Sequence, residues 1–549
     1  MMGLFARAHA DSLSHSSAPR ANAIAWLRMA TALLLGFAVL ALPSNPAALA
    51  RVFPPNLPLE ILGLAVAALL LPGKVFRVLR AFATALFATI LFLKLADLGT
   101  GSAFQRPFNP YLDLKIMTDG WNLLSGSIGR AEAAAFVSGA ILLWLALSAV
   151  FFWALGGFRS PGRPTALGLA AAAALTLLAG LATMSMEARA VPVSADVAPY
   201  LTNRIAMIRQ SVADLAAFET ELKSDPAASL PPDQRLSRLA GTDVVFIFVE
   251  SYGRSAIEDG QYAPRVATRL SRMAQEVAAA GLQARSGWLT APTVGGLSWL
   301  SHGALLSGLW TDSQARYDRM IASERPTLNA LFRQAGWHTT AIMPAITMDW
   351  PESGYFGYDT IRDASGLGYR GKPFNWVTMP DQYTLSAFQK MDREGANKTV
   401  MAEIALISSH APWTPIPTLV DWDKIGDGRI FDEQAVSGDP PSVVWSDPAR
   451  IREQYLASID YALETLGSYI SRYGDNTLFV ILGDHQPASV ITGEGASRDV
   501  PVHIIGSPAM IEQLSSWEWS EGLVPASSLA PMRMDLFRER FLRTFSGPA

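Results

Sequence analysis

The 549-residue chain contains no cysteine. Disulfide bonds and thiolate chemistry are therefore excluded, and any metal ion must be held by nitrogen or oxygen ligands. A strong excess of either charge is also absent, since the formal net charge is −4. Nothing in that balance indicates a nucleic-acid partner. The sequence has no internal repeat, and its only low-complexity tracts are alanine-rich apolar runs.

Hydrophobic residues make up half of the chain, and their excess lies before about residue 186. Most of the apolar runs there reach the roughly 20 residues that a helix needs to cross a bilayer. The second run is short and carries Glu60 near its start, which makes it the weakest of these candidates. The five runs are Ile24–Leu42, Leu57–Leu71, Ala81–Leu98, Ala133–Leu155 and Ala166–Met184.

Basic residues predict the orientation of these spans, because cytoplasmic loops are rich in Lys and Arg. With five spans, all three basic clusters fall on the cytoplasmic side, and everything after Met184 lies outside. We therefore expect a multi-pass protein of the inner (plasma) membrane whose part after Met184 is periplasmic. The clusters are Arg7, Arg20 and Arg28, then Lys74, Arg77 and Arg80, then Arg159 and Arg163.

Two charged residues, Lys94 and Asp97, lie in the third run. They are three residues apart and share a helix face. Charges inside a membrane are costly and usually functional. Because these two lie near the outer end of the span, a mutual pair that reaches the lipid interface is an equal alternative.

Three regions are predicted along the chain. Residues 1–186 form a transmembrane domain, and residues 187–240 form a juxtamembrane amphipathic helix followed by a linker. The helix is indicated by apolar residues that recur at helical spacing between Leu201 and Leu222. Residues 241–549 form an extracytoplasmic catalytic domain.

Strands and helices alternate after Thr242, which predicts a mostly parallel sheet flanked by helices. The first predicted strand ends at Glu250. The other predicted strands are His338–Met343, Thr399–Ser408, Thr477–Leu482 and Val500–Ile505. The predicted helices are Ala263–Gly281, Thr327–Gly336, Pro448–Tyr473 and Pro531–Phe545.

Two of these strands end in side chains that bind metals. Asp243–Val249 leads into Glu250, and Leu478–Gly483 leads into Asp484 and His485. Strands this apolar are buried on both faces, as in parallel sheets, and ligands of such sheets lie at the carboxyl ends of the strands. Two carboxylates and an imidazole at one edge suit a divalent cation such as Mn²⁺, Zn²⁺ or Mg²⁺. The alternative is that Glu250 caps a helix and the other two residues form a turn.

A serine lies between the two strands in a setting that suits a nucleophile. Gly295 and Gly296 precede Ser298, which opens a predicted helix. A helix N-terminus favours an anion, and a serine beside a divalent metal can attack phosphorus. The alternative is that Ser298 is an ordinary N-cap.

These motifs resemble the alkaline phosphatase and sulfatase superfamily, and within it the membrane-anchored phosphoglycerol and phosphoethanolamine transferases, such as lipoteichoic acid synthases. Val249-Glu250-Ser251 resembles the first metal strand of the family, and Gly483-Asp484-His485 resembles its last metal motif. Ser298 stands where these transferases carry a threonine nucleophile, ten residues before Gly308. The resemblance implies an α/β sulfatase-like fold and one divalent ion, most often Mn²⁺, otherwise Zn²⁺ or Mg²⁺. Its ligands would be Glu250, Ser298, Asp484 and His485.

Other positions carry the substrate residues that the resemblance implies. Ser409–Trp413 resembles the family's histidine segment, so His410 would contact the phosphate or protonate the leaving group. Asp349 and Trp350 lie where lipoteichoic acid synthases bind glycerol phosphate, and His302 is a further candidate. Each of His302, His410 and Trp350 is alternatively a core residue. The formylglycine motif of sulfatases is absent, which argues against sulfate hydrolysis.

The expected function is metal-dependent transfer of a phosphoglycerol or phosphoethanolamine headgroup through a covalent Ser298 intermediate. The expected partners are a phospholipid donor, a glycan or lipid acceptor and the bilayer. One alternative is a phosphodiester hydrolase that uses the same site. Another, of a different class, is a non-catalytic membrane scaffold.

Overall fold

The structure is a computed structural model that describes residues 17–43, 57–113, 129–159 and 193–547, with a few single positions between 117 and 178. The chain divides into two compact units. One comprises Met1–Ser102 and Arg106–Ser211, and the other comprises Ala103–Gln105 and Val212–Ala549. The three-region division of the sequence stays a prediction.

The first unit is helical. Three of its described helices are long and apolar enough to cross a membrane: Ala23–Ala41, Gly73–Phe104 and Arg130–Arg159. The second predicted span is the 12-residue helix Leu59–Leu70. Twelve residues rise about 18 Å, less than the roughly 30 Å of a hydrocarbon core, so this helix decides whether the number of spans is odd. The fifth predicted span, Ala166–Met184, lies almost entirely outside the described residues.

The remaining elements of this unit follow these helices. Leu57–Pro58 pairs in parallel with Val193–Ser194. The predicted juxtamembrane helix is present as Val197–Leu222, which begins in this unit and ends in the other.

The two charges of the third predicted span have separate partners. Lys94 Nζ donates to the backbone carbonyls of Leu40 at 2.9 Å and Leu42 at 2.6 Å. Asp97 is fully buried and forms an ion pair with Arg204 of the juxtamembrane helix. The proposed Lys94–Asp97 couple is therefore wrong as a direct pair. Each of the two charges is instead satisfied by a partner on another segment, because a charge in apolar surroundings is costly unless it is paired or hydrogen-bonded.

The second unit contains a mostly parallel nine-stranded sheet, which confirms the predicted fold class. Five pairings are parallel and three are antiparallel. In our numbering the order is β8-β2-β7-β6-β1-β5-β3-β4, and β9 also pairs with β2. The strands are β1 Asp243–Val249, β2 Gln283–Thr290, β3 His338–Met343, β4 Thr360–Asp363, β5 Val400–Leu406, β6 Thr477–Gly483, β7 Asp499–Gly506, β8 Ser520–Glu521 and β9 Met532–Arg533.

Strand β1 lies in the middle of the sheet, and both of its faces are covered. Val245, Ile247 and Val249 belong to one hydrophobic cluster. Val244, Phe246 and Phe248 belong to the other. Side chains alternate between the two faces of a strand, so a continuous apolar run is what a strand between two helical layers requires.

Helices of eight or more residues form these layers. On one side lie Ala263–Ala279 and Pro448–Tyr473, with Asp381–Phe388. On the other lie Ser298–Ser307, Gln314–Ile321 and Leu536–Phe545, together with the shorter Leu328–Gln334.

Several elements differ from the sequence-based expectation, and two of these differences have a clear physical reason. The terminal helix begins at Leu536 rather than Pro531, because Met532–Arg533 pairs with β2. Strand β2 was not predicted, since its sequence Gln-Ala-Arg-Ser-Gly-Trp-Leu-Thr lacks an apolar run or a regular alternation.

Candidate active site

The register of two neighbouring strands creates the site. In the parallel pair β1–β6, Val249 lies opposite Gly483. The next residues along the two strands are Glu250 and Asp484, so both carboxylates leave the sheet side by side at its carboxyl edge. Both are buried. The two carboxylates lie side by side because β1 and β6 end at the same level of the sheet. The apolar sequences before Glu250 and Asp484 indicate both buried strands.

Ser298 reaches the same edge from the helix Ser298–Ser307. The N-cap position belongs to Leu297, whose φ is 62°, and no side chain caps the helix. A left-handed conformation is costly for leucine and is often found at functional sites. The Ser298 hydroxyl contacts Oε2 of Glu250 and Nε2 of His485, each at 3.2 Å. The alternative of an ordinary N-cap does not describe this residue.

The cluster is compact. One ligand atom each of Glu250, Asp484 and His485 lies within 4.8 Å of the others, and all three residues are buried. Nε2 of His485 lies 3.4 Å from Oε1 of Glu250 and 3.6 Å from Oδ2 of Asp484. The structure thus brings together the four residues that the sequence predicted as ligands, while their binding of a metal stays a prediction.

Burial and neighbouring charges shift the pKa of each of the three ionisable groups in this cluster. Burial raises the pKa of the Asp484 carboxyl, and the charge of Glu250 raises it further. Burial acts in the same sense on Glu250, but the imidazoles of His485 and His410 hold the pKa of this carboxyl below its usual range. Burial opposes protonation of His485, but the two carboxylates outweigh it and raise the pKa of its imidazole.

The donor set fits a divalent cation. Nδ1 of His485 lies 2.9 Å from the carbonyl oxygen of Gln486, which can only accept a hydrogen bond, so Nδ1 carries a proton. In the neutral imidazole, the lone pair of Nε2 then faces the oxygens of Glu250, Ser298 and Asp484. Four electron-rich atoms that face one another favour a positive charge among them, and this nitrogen and oxygen set suits Mn²⁺ or Zn²⁺.

His302 lies one helical turn beyond Ser298. Its ring stacks on Phe248, with 3.7 Å between the ring centroids. Its Nδ1 lies 2.7 Å from Oε1 of Glu403. The other oxygen of this carboxylate accepts from Asn329 at 3.2 Å and from the Tyr358 hydroxyl. The imidazole is therefore fixed by a buried carboxylate with three donors.

Sequence reasoning missed Glu403, although a signal was present. It is the only charged residue of β5, whose other residues are apolar. A carboxylate in the middle of a buried strand must have partners, so a histidine or another donor near it could have been sought.

His410 belongs to a segment that is joined to Glu250 through the adjacent residue Ser409. Its ring stacks on Trp376 at 4.0 Å between centroids, and Nδ1 lies 2.5 Å from the carbonyl oxygen of Ala411. The neighbouring Ser409 donates to the backbone carbonyl of Glu250 at 2.6 Å. Trp376 was not predicted, because no local motif marks it.

The two remaining candidates are not joined to the metal cluster by any hydrogen bond or ion pair among the described residues. Asp349 is exposed. The ring of Trp350 packs near those of Phe356 and Tyr358, at 5.9 Å and 6.1 Å between centroids. Its surroundings are those of a half-buried core residue, so the substrate-binding role of Asp349 and Trp350 stays a prediction.

Comparison with known proteins agrees with the class that this fold and site define, an α/β domain with a metal-type cluster at the carboxyl edge of its sheet. Residues 242–513 match the family described as Sulfatase. This match covers just under half of the chain. Comparison with curated proteins gave no match.

Solved structures that resemble the chain are distant from it. The lipooligosaccharide phosphoethanolamine transferase EptA of Neisseria meningitidis is 14% identical, with 95% of each chain covered and a TM-score of 0.45. The lipoteichoic acid synthase LtaP of Listeria monocytogenes is 14% identical over 51% of this chain and 70% of its own, with a TM-score of 0.35. The phosphoglycerol transferase GacH of Streptococcus pyogenes is 11% identical over 61% and 82%, with a TM-score of 0.38.

Proposed function

We propose that the protein transfers a phospho-headgroup, phosphoglycerol or phosphoethanolamine, from a membrane lipid to an envelope glycan or lipid. One observation carries this proposal. The Ser298 hydroxyl lies at a helix N-terminus, 3.2 Å from both Glu250 and His485. A nucleophile placed among metal-type ligands, where the helix end favours an anion, suits attack on a phosphodiester.

Glu250, Asp484, His485 and Ser298 would hold one divalent ion. When bound, such an ion lowers the pKa of the serine hydroxyl and offsets negative charge on the phosphate oxygens. Mn²⁺ is the ion that we favour, and Zn²⁺ and Mg²⁺ are the alternatives.

In the first half-reaction the Ser298 hydroxyl gives up its proton to solvent, Oγ bonds to phosphorus, and the bond from phosphorus to the diacylglycerol oxygen breaks. His410 in its imidazolium form gives that oxygen its proton. In the second half-reaction an acceptor hydroxyl displaces Ser298 from phosphorus. The membrane helices keep the enzyme beside its donor, which raises the effective donor concentration.

The test is to expose the purified full chain briefly to phosphatidylglycerol or phosphatidylethanolamine and analyse it by intact-protein mass spectrometry. We expect an adduct of headgroup-phosphate mass on the peptide that contains Ser298. Ser298→Ala should abolish the adduct, and Ser298→Thr should retain part of it, because threonine offers the same hydroxyl.

Two nearby serines provide controls. Ser251 and Ser301 are both buried, whereas Ser298 is partly exposed, so neither of the two should become labelled. An adduct on either residue, or no adduct with both lipids, would contradict the proposed mechanism. Release of free headgroup phosphate with every acceptor would instead indicate the hydrolase.

A further inference from the structure

The position of His302 relative to Ser298 is set by the strand beneath their helix. Ser298 contacts Glu250, and His302 stacks on Phe248, two residues earlier along the same strand direction. Residues four apart on a helix share a face, and residues two apart along an extended strand share a face. Ser298 and His302 therefore lie on the same face of their helix, and this face packs against Glu250 and Phe248.

The tautomer of His302 is fixed by its partner. Nδ1 lies 2.7 Å from Oε1 of Glu403, and a carboxylate oxygen accepts, so Nδ1 carries the proton. Nε2 of the neutral ring then holds a lone pair. Within the described part of the chain, Nε2 has no hydrogen-bond partner, and this atom is not completely buried. The Nε2 atom is therefore at least partly exposed to solvent, in a side chain that is 12% exposed.

The carboxylate that fixes this ring is held firmly. The Glu403 side chain is 1% exposed, and it accepts hydrogen bonds from Asn329 and Tyr358 as well as from His302. Three donors satisfy a buried charge that would otherwise be costly. A carboxylate that orients an imidazole one helical turn from a nucleophile is an arrangement that general-base catalysis uses.

We propose that His302 is the general base of the second half-reaction and that Glu403 is its positioning residue. The assignment rests on the two-step transfer proposed above. The acceptor hydroxyl gives its proton to His302 Nε2 as its oxygen bonds to phosphorus, and the bond from phosphorus to Ser298 Oγ breaks. Ser298 then takes a proton from solvent and His302 returns one to solvent, so the enzyme regains its starting state.

The experiment separates the two half-reactions in the full-length protein. Labelled phosphatidylglycerol and phosphatidylethanolamine are used to form the Ser298 adduct, and its decay is followed with water alone and with glycerol as a model alcohol. His302→Asn is the main variant, because its amide N–H can still donate to Glu403 while the Nε2 lone pair is lost. We expect near-normal adduct formation and a decay slowed by about 10²- to 10⁴-fold, the usual effect of losing a general base.

Two further variants distinguish catalysis from structural support. In His302→Ala, free imidazole should shorten the lifetime of the adduct. His338→Asn is the matched control, because it makes the same substitution at the first residue of β3, where the ring contacts Thr360 rather than the site, so the lifetime should stay near that of the unmodified protein.

Adduct decay at the normal rate in His302→Asn would overturn the assignment to His302. So would an equal slowing in His338→Asn, which would indicate a general structural effect. Absence of any adduct in the unmodified protein is a different outcome, because it contradicts the proposed transferase mechanism itself.

Discussion

The backbone N–H of Ser251 donates to Oδ1 of Asp484 at 2.8 Å. This contact joins the turn after β1 to the carboxylate after β6, and it fixes one oxygen of Asp484 while the other faces His485. Ser251 has a φ of 57°, a left-handed conformation that is uncommon for serine. The tight turn at Ser251 therefore helps to assemble the metal-type cluster, because it aims the Ser251 N–H at Asp484.

The first prediction concerns metal content. Asp484→Ala or Glu250→Ala should remove the divalent ion and nearly all activity. We expect metal affinity to fall by more than about 100-fold, because even the outer partners of metal ligands are worth about 10- to 100-fold. Elemental analysis of the purified variants measures this. Asp381→Asn is the matched control, since Asp381 is a fully buried carboxylate bound to backbone N–H groups, and full metal content in Glu250→Ala would refute the assignment.

The second prediction concerns close backbone packing at Gly483. A Cβ at this position would lie 1.8 Å from the carbonyl oxygen of Tyr252, and backbone cannot move aside easily. Gly483→Ala should therefore destabilise the domain by about 1–3 kcal/mol or more and displace Asp484. Thermal unfolding measures the loss. Gly260→Ala, where a Cβ would meet nothing within 4 Å, should unfold almost normally, and equal melting temperatures for both variants would be evidence against the predicted clash.

The third prediction concerns pH. Burial lowers the pKa of His503 to about 3, where its ring contacts Ser286 and Tyr252. An unfolded histidine has a pKa near 6.5, so between these values the unfolded state binds a proton that the folded state does not. His503 therefore contributes a loss of stability as the pH falls below about 6.5, by about 1.4 kcal/mol per pH unit.

His503→Gln should remove this contribution and make the free energy of unfolding less dependent on pH between about 6.5 and 4. Denaturant unfolding with a chelator present isolates the effect from metal release. The comparison must be between variant and parent, because Asp381, whose pKa is raised to about 6 by burial, contributes in the opposite direction. Parallel pH curves for the two proteins would show that His503 is not the proton-linked group.

The fourth prediction concerns membrane topology. A phosphatase reporter fused after Arg235 should be active outside the cytoplasm, and one fused near Lys74 should be silent, because basic residues remain on the cytoplasmic side. Reporter activity in intact cells is the measurement. The reverse pattern would mean that the number of spans is even, and the short helix Leu59–Leu70 would be the first to examine.

The fold could be predicted where a buried element has a recognisably apolar sequence. The apolar runs before Glu250 and Asp484 indicated buried parallel strands, because such strands need apolar side chains on both faces. Strand β2 escaped prediction because its mixed sequence gives no periodic signal. The pairing of Asp97 with Arg204 also escaped, since the two lie 107 residues apart and only the folded chain brings them together.

By itself, the sequence determined which atoms are available for chemistry: no thiols, two carboxylates and an imidazole at the ends of apolar strands, and a serine that opens a helix. The tertiary structure decided which of them meet. The register of β1 on β6 places Glu250 beside Asp484, and the left-handed Leu297 directs Ser298 toward them. A carboxylate on β5, Glu403, reaches the His302 ring. Local patterns encode burial and periodicity, whereas distances between remote side chains follow from strand register and helix packing, which form only when the whole domain folds.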